Sequence, residues 1–183
     1  TYSFAGAVLA NPQADLVGLV DIDESKLEQV DYRLRRGGHI NTNTHLILRP
    51  SLQRVMEGLG AQGDIAHIIC CAGGPKVNEE VIQLAAGNGV LGVYCEKPLA
   101  LSLESADRLV ELEKKSGLKV AVNYLRNFDT CHLATLDYIR QGGIGDLLAV
   151  RVLYKGGVLA VAPHAFALLN HLFGRPPIKV SGL

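Results

Sequence analysis

No stretch of this 183-residue chain approaches the roughly 20 consecutive apolar residues of a bilayer span. The more apolar stretches, such as Ile65-Ala66, fall far short of it: that one is broken by His67 before it resumes as Ile68-Ile69-Cys70-Cys71-Ala72. An excess of charge of one sign is also missing, with 18 Lys and Arg against 18 Asp and Glu. A surface so balanced lacks the electrostatic footprint that draws proteins onto phosphate backbones or anionic lipid, so neither nucleic acid nor membrane is expected as a partner. Metal-ligand spacing is absent too: the four cysteines (Cys70, Cys71, Cys95, Cys131) form no C-x-x-C, and the six histidines form no H-E-x-x-H. The expectation is no metal, and buried reduced thiols in a cytoplasmic protein. The start, Thr1-Tyr2-Ser3-Phe4-Ala5, carries no initiator Met, no basic n-region and no cleavage-site pattern of a secretory signal, so the chain reads as entered partway through. Internal repeats and low-complexity tracts are lacking as well.

With 48% hydrophobic residues, a core of ordinary size is available. Short apolar runs at 15–21, 65–72, 90–95 and 118–122 suit strands buried on both faces, and segments of helical length separate them. Helices are expected over 24–32, 51–58, 77–88 and 102–116. In the last, Ser102 stands as N-cap, Leu103, Ala106, Leu109 and Val110 form the apolar face, and Gly117 closes the end. In the third, Val77, Val81, Leu84 and Ala85 share a face. The loop-like 33–50 region holds a short edge strand near His45 to Leu48. Strands alternating with helices predict an α/β fold, a Rossmann-type doubly wound parallel sheet. From Asn123 the rhythm changes to a helix over 130–141, a strand over 147–154, a helix over 163–173 and a strand beginning at Ile178-Lys179-Val180. The domains are therefore expected as 1–123, a dinucleotide-binding domain without its first strand and glycine-rich loop, and 124–183, the beginning of an α+β substrate and oligomerisation domain.

In such a sheet the ligand lies beyond the carboxyl ends of the strands, which singles out Asp21, Ala72 to Lys76, Glu96 to Pro98 and Asn123 to Arg126. Asp21 could accept both ribose hydroxyls and repel the phosphate that marks NADP; equally, it could cap the following turn with Asp23. Ala72-Gly73-Gly74-Pro75 lets a backbone approach a flat ligand, and is also what any tight strand-to-helix turn would use. In Val93-Tyr94-Cys95-Glu96-Lys97-Pro98-Leu99-Ala100, Lys97 is delivered to the crevice at the end of a buried strand, where a lysine can act on a hydroxyl and Glu96 can orient it. The alternative is an exposed loop lysine beside a glutamate.

Cys95-Glu96-Lys97-Pro98-Leu99-Ala100-Leu101-Ser102, Ala106-Asp107-Arg108-Leu109-Val110, Tyr124 to Asp129 and Gly143-Ile144-Gly145-Asp146 resemble, in order and spacing, the Gfo/Idh/MocA family of oxidoreductases. The resemblance covers the chain from about Ala7 onward. It implies an N-terminal domain binding NAD(P), for which the strand-end residues Asn123 and Arg126 are expected among the cofactor contacts. It also implies a second domain that commonly forms a homo-oligomer, and sugars, polyols or their nucleotide-linked forms as substrates. The lysine matching Lys97 contacts the reacting hydroxyl, and the histidine matching His164 completes the site. Without the resemblance, a histidine on an Ala/Leu-rich helix is more often a packed core residue.

Two departures accompany it. The literal G-x-G-x-x-G at Gly58-Leu59-Gly60-Ala61-Gln62-Gly63 follows a predicted helix and precedes a strand, the reverse of a phosphate loop, and reads as a helix-to-strand turn. Around His164, Ala160 and Ala167 stand where the family often carries Asp or Asn. The leading expectation is an NAD-dependent dehydrogenase acting on a hydroxyl-bearing carbon, with NAD favoured over NADP; the competing one is a catalytically inactive binding or regulatory protein on the same scaffold.

Overall fold

The computed structural model describes residues 4–40, 46–175, 177–179 and 181. The chain divides into two compact units, Thr1–Val122 and Asn123–Leu183. The expected loop at Asn41 to Thr44, His45 of the edge strand and Val180 of the last strand lie outside the described residues.

In the first unit, helix α1 (Phe4–Ala10) precedes β1 (Gly18–Val20), α2 (Glu24–Arg36), β2 (Ile47–Arg49), α3 (Leu52–Ala61), β3 (Ile68–Cys71), α4 (Pro75–Ala86), β4 (Gly92–Cys95), α5 (Leu103–Ser116) and β5 (Lys119–Val122). Among the described residues every strand pairing is parallel: β1 with β2 in a two-stranded sheet, and β3, β4 and β5 in that order in a three-stranded one. Each strand lies inside or one residue beyond the run that predicts it. Helix α2 continues four residues past the expected Tyr32, because Arg35 reaches back one turn to Asp31 (2.8 Å) and Arg33, Arg35 and Arg36 complement the dipole at its end.

The main core gathers Ile82 and Ala85 of α4, Val93 and Cys95 of β4, Leu109 of α5, and Cys71, Val90 and Leu118. This rotates both crossover helices relative to their apolar patterns. On α4 the buried stripe is Asn78, Ile82 and Ala85, while Val77 is exposed; on α5 it is Ser105 and Leu109, with Leu103 and Val110 exposed. In each case a polar residue faces inward because its hydrogen-bond partners are there. The expectation of four buried thiols is also corrected: Cys71 and Cys95 are buried, whereas Cys70 and Cys131 are exposed. Alternation along β3 sends Cys70 to the opposite face from Cys71.

The second unit contains a short 3₁₀ turn (Leu125–Asn127), α6 (Thr130–Arg140) and α7 (Val158–Phe173). Helix α7 starts five residues before the expected Pro163, which lies inside it. Proline's fixed φ is compatible with helix, so it marks a start only where no preceding turn can form; here Gly157 initiates one. The strand expected over 147–154 is not formed. Its alternating side chains are present, but no described segment pairs with it, and a strand exists only through its ladder; Leu148 is 94% and Leu153 87% exposed.

Candidate active site

Strands β3, β4 and β5 are in register at their carboxyl ends, where Cys71 lies beside Cys95 and Cys95 beside Val122. Ala72 to Gly74 therefore leave the sheet next to Glu96 to Pro98. The two turns are joined by a hydrogen bond from the Glu96 amide to the Cys71 carbonyl (3.0 Å).

The first turn is shaped by its glycines. A Cβ on Gly73 would meet the Val77 side chain at 2.6 Å, so only glycine lets α4 approach this closely. Gly74 is the N-cap of α4 at φ 85°, a conformation that side chains disfavour, and a Cβ there would meet nothing within 4 Å. The turn thus presents bare backbone to open space, and Pro75 follows as the first helical residue.

The second turn carries Glu96, Lys97 and Pro98, with the Lys97–Pro98 peptide bond cis. It is held from below by Asn78. The Asn78 Nδ2 donates to the carbonyl of Glu96 (2.8 Å) and to that of Pro98 (3.1 Å), so one side-chain nitrogen grips the backbone before and after the Lys97-Pro98 pair. Asn78 is completely buried, and its Oδ1 has no hydrogen-bond partner among the described residues. Such an orphaned acceptor costs about 1–3 kcal/mol, so an apolar residue of equal volume would be the better filler were the two donors not needed. Sequence reading passes over Asn78 because hydrophobic periodicity counts apolar residues; the available signal is an amide spaced four and seven residues before Ile82 and Ala85, on the stripe that faces the core.

Asp21 directly follows β1. Its Oδ1 accepts from the Asp23 amide (3.0 Å), and Lys26 lies 3.9 Å away, so the turn-capping role weighed for it is present. The side chain is also 38% exposed, leaving the carboxylate accessible. The literal G-x-G-x-x-G forms the end of α3 and its cap, with Gly63 at φ 74°, and supplies no phosphate loop.

In the second unit, Asn123 follows β5 directly and Arg126 lies exposed in the 3₁₀ turn. His164 lies in the second turn of α7, one residue after Pro163, and its Nδ1 is buried. The Tyr124 ring meets the imidazole edge-on, with centroids 6.2 Å apart and planes at 83°. Tyr124 is thus a neighbour of His164 that sequence spacing alone does not reveal, since 40 residues of chain separate them.

Among the described residues no three His, Cys, Asp or Glu side chains cluster as a metal site, and no helix is long and apolar enough to cross a membrane. Bare backbone at Gly74 and the accessible carboxylate of Asp21 fit the ribose and flat portions of a dinucleotide. A Gly-rich phosphate cradle is not among the described turns.

Comparison with known proteins bears on the family and the fold. The model of an oxidoreductase family with an NAD-binding Rossmann fold, Gfo/Idh/MocA, matches residues 1–124. An inositol 2-dehydrogenase of Acidothermus cellulolyticus is 29% identical over 143 residues, which are 78% of this chain and 38% of that protein. An inositol 2-dehydrogenase of Klebsiella pneumoniae strain 342 is 35% identical over 94 residues, 50% of this chain and 27% of that protein. The chain thus spans well under half the length of these relatives. The structure of scyllo-inositol dehydrogenase from Lactobacillus casei, which has NAD(H) and scyllo-inositol bound, superposes with a TM-score of 0.69 at 16% identity, covering 95% of this chain and 54% of that one. At that identity the likeness shows the fold.

Proposed function

Because the chain belongs to the Gfo/Idh/MocA family of oxidoreductases with an NAD-binding Rossmann fold, we propose that the whole protein is an NAD-dependent dehydrogenase acting on a hydroxyl-bearing carbon of a sugar or polyol. The observation that carries this reading is the Glu96-Lys97-Pro98 turn, held at the carboxyl end of a parallel strand beside the open Gly73-Gly74 turn. The inositol dehydrogenases among the relatives support a polyol as substrate.

Ala72, Gly73 and Gly74 would offer backbone to the dinucleotide, Asp21 its carboxylate to the ribose hydroxyls, and Glu96, Lys97, Pro98, Asn123 and Arg126 further contacts. Bound NAD⁺ supplies a hydride acceptor. With the cofactor bound, the Lys97 amine would accept the substrate's hydroxyl proton as the carbon-bound hydrogen leaves with its electron pair and the carbinol becomes a carbonyl; the resemblance gives His164 an assisting role in the proton's transfer. NAD is preferred over NADP because a 2′-phosphate would meet the Asp21 carboxylate. A homo-oligomer in the cytoplasm completes the reading.

Calorimetric titration of the full-length protein with NAD⁺ and NADP⁺, beside the Asp21→Ala variant, tests it. Tighter binding of NAD⁺, relaxed in the variant, is expected. Binding of neither nucleotide would mean a repurposed scaffold and would remove Lys97 from any hydride chemistry.

A further inference from the structure

We infer that Asn78 is a positioning residue for Lys97: its buried amide nitrogen, shared between the carbonyls of Glu96 and Pro98, fixes the backbone from which the lysine side chain extends. The inference rests on the dehydrogenase reading for its consequence in turnover, and on the geometry alone for the clamp itself.

The peptide groups Glu96–Lys97 and Pro98–Leu99 bracket the Lys97-Pro98 pair, and each offers its carbonyl to the same nitrogen, at 2.8 and 3.1 Å. The Glu96 amide is tied to the Cys71 carbonyl on the opposite side, at 3.0 Å. The turn is therefore fastened to β3 at its start and to α4 across its middle. Asn78 in turn is placed by α4, where its own amide donates to the Gly74 carbonyl (2.8 Å) and Ile82 and Ala85 continue its buried stripe into the core. Both hydrogens of the side-chain nitrogen are used on the Lys97 turn, while the oxygen is left without a partner among the described residues. A residue selected only to pack α4 against the sheet has no use for that arrangement. One selected to hold two carbonyls does, because no other uncharged side chain of this size offers two hydrogens from one atom.

The rigidity matters because proton transfer requires the amine within hydrogen-bond reach of the reacting hydroxyl, and a misplacement of about 1 Å can cost on the order of 10²-fold in rate. Both Asn78 contacts are made to backbone carbonyls, so the clamp does not engage the Lys97 side chain itself.

The test uses the full-length protein without cofactor and follows hydrogen–deuterium exchange in 96–100. Asn78→Leu keeps the branched shape and loses both donors; Ile82→Val, one turn along the same buried stripe, loosens α4 without touching the turn. Faster exchange in 96–100 for Asn78→Leu, with no such change for Ile82→Val, is expected. Unchanged exchange there in a folded Asn78→Leu protein overturns the clamp. Should that variant not fold, Asn78→Ser, too short to reach both carbonyls, is read in the same way.

Turnover of scyllo-inositol with NAD⁺ then supplies a double-mutant cycle. Asn78→Leu is expected to lower kcat by about 10- to 100-fold, and to lower it much less when Lys97 is already alanine. An equal loss in both backgrounds makes Asn78 a structural residue with no bearing on Lys97. If Lys97→Ala itself leaves turnover unchanged, the dehydrogenase reading of Lys97 fails, and the exchange result still decides the clamp.

Discussion

The Ser105 Oγ on α5 donates a hydrogen bond of 2.7 Å to the Glu79 carboxylate on α4, whose other oxygen accepts from Arg108 at 3.2 Å. Glu79 adjoins Asn78 in sequence, and α5 opens five residues after Pro98. The two helices that bracket the Lys97 turn are thus fastened to each other on one side while Asn78 fastens the turn on the other.

Glu79→Gln is expected to weaken this fastening and to change its pH dependence. The hydrogen bonds from Ser105 and Arg108 hold the Glu79 carboxyl below the ordinary glutamate range. A carboxylate whose folded pKa is depressed contributes stability above its unfolded pKa, and that contribution is lost as the pH falls through the folded value. Thermal unfolding followed downward from about pH 5, near the ordinary glutamate range, should show a steeper loss for the unaltered protein than for the variant. Parallel curves would show that the carboxylate is not a titrating contributor.

At the alkaline end, Cys95 is expected to dominate. Burial, then the charges of Cys71 and Glu96, push its thiol up to about 11. In the unfolded chain the thiol ionises near pH 8.5, so between roughly pH 8.5 and 11 the unfolded state has released a proton that the folded state retains. Stability conferred by this group is complete below the unfolded pKa and is lost as the pH rises through the folded one. Cys95→Ala should lower stability at every pH through the cavity it leaves, and should flatten the alkaline slope; an unaltered slope would assign the loss to other groups.

Lys97→Ala in the full-length protein is expected to reduce turnover by roughly 10²–10⁴-fold, the size of a general acid/base contribution, with little change in NAD⁺ affinity. Steady-state kinetics and calorimetry on the same preparation separate the two. A loss of affinity matching the loss of turnover would leave Lys97 a cofactor contact with no part in the proton transfer.

Helix α5 offers a test at both ends. Ser102 accepts from the Ser105 amide at 3.1 Å, and Gly117 closes the helix at φ 75° with nothing within 4 Å of a Cβ. Ser102→Ala should cost about 1 kcal/mol through the lost cap, and Gly117→Ala about 1–2 kcal/mol through backbone conformation alone. Denaturant unfolding measures both, and a neutral Gly117→Ala would show that the left-handed conformation is not required.

These two ends were legible in the sequence because capping is local: Ser102 and Gly117 declare themselves within one turn. The parallel strands were legible for a similar reason, each being a short apolar run between helical segments. What periodicity could not convey is which polar residues turn inward. Asn78 and Ser105 do so because their partners, the Glu96 and Pro98 carbonyls and Glu79, are brought to them by the fold from 18 to 26 residues away. The same dependence on distant partners explains the segment 147–154, whose alternation promises a strand that no described neighbour completes. His164 lies deeper in α7 than a helix beginning at Pro163 would place it, because proline restricts the chain without compelling a helix to begin.

The matched ends of β3, β4 and β5 have a geometric consequence for any ligand laid across them. Adjacent strands lie about 4.8 Å apart, so from Cys71 through Cys95 to Val122 the sheet edge advances by two such steps, about 10 Å. That edge works as a ruler with one mark per strand. An elongated molecule resting on it meets the Gly73-Gly74 turn at one mark and Lys97 at the next, so the spacing of its own functional groups decides which of them arrives at the amine.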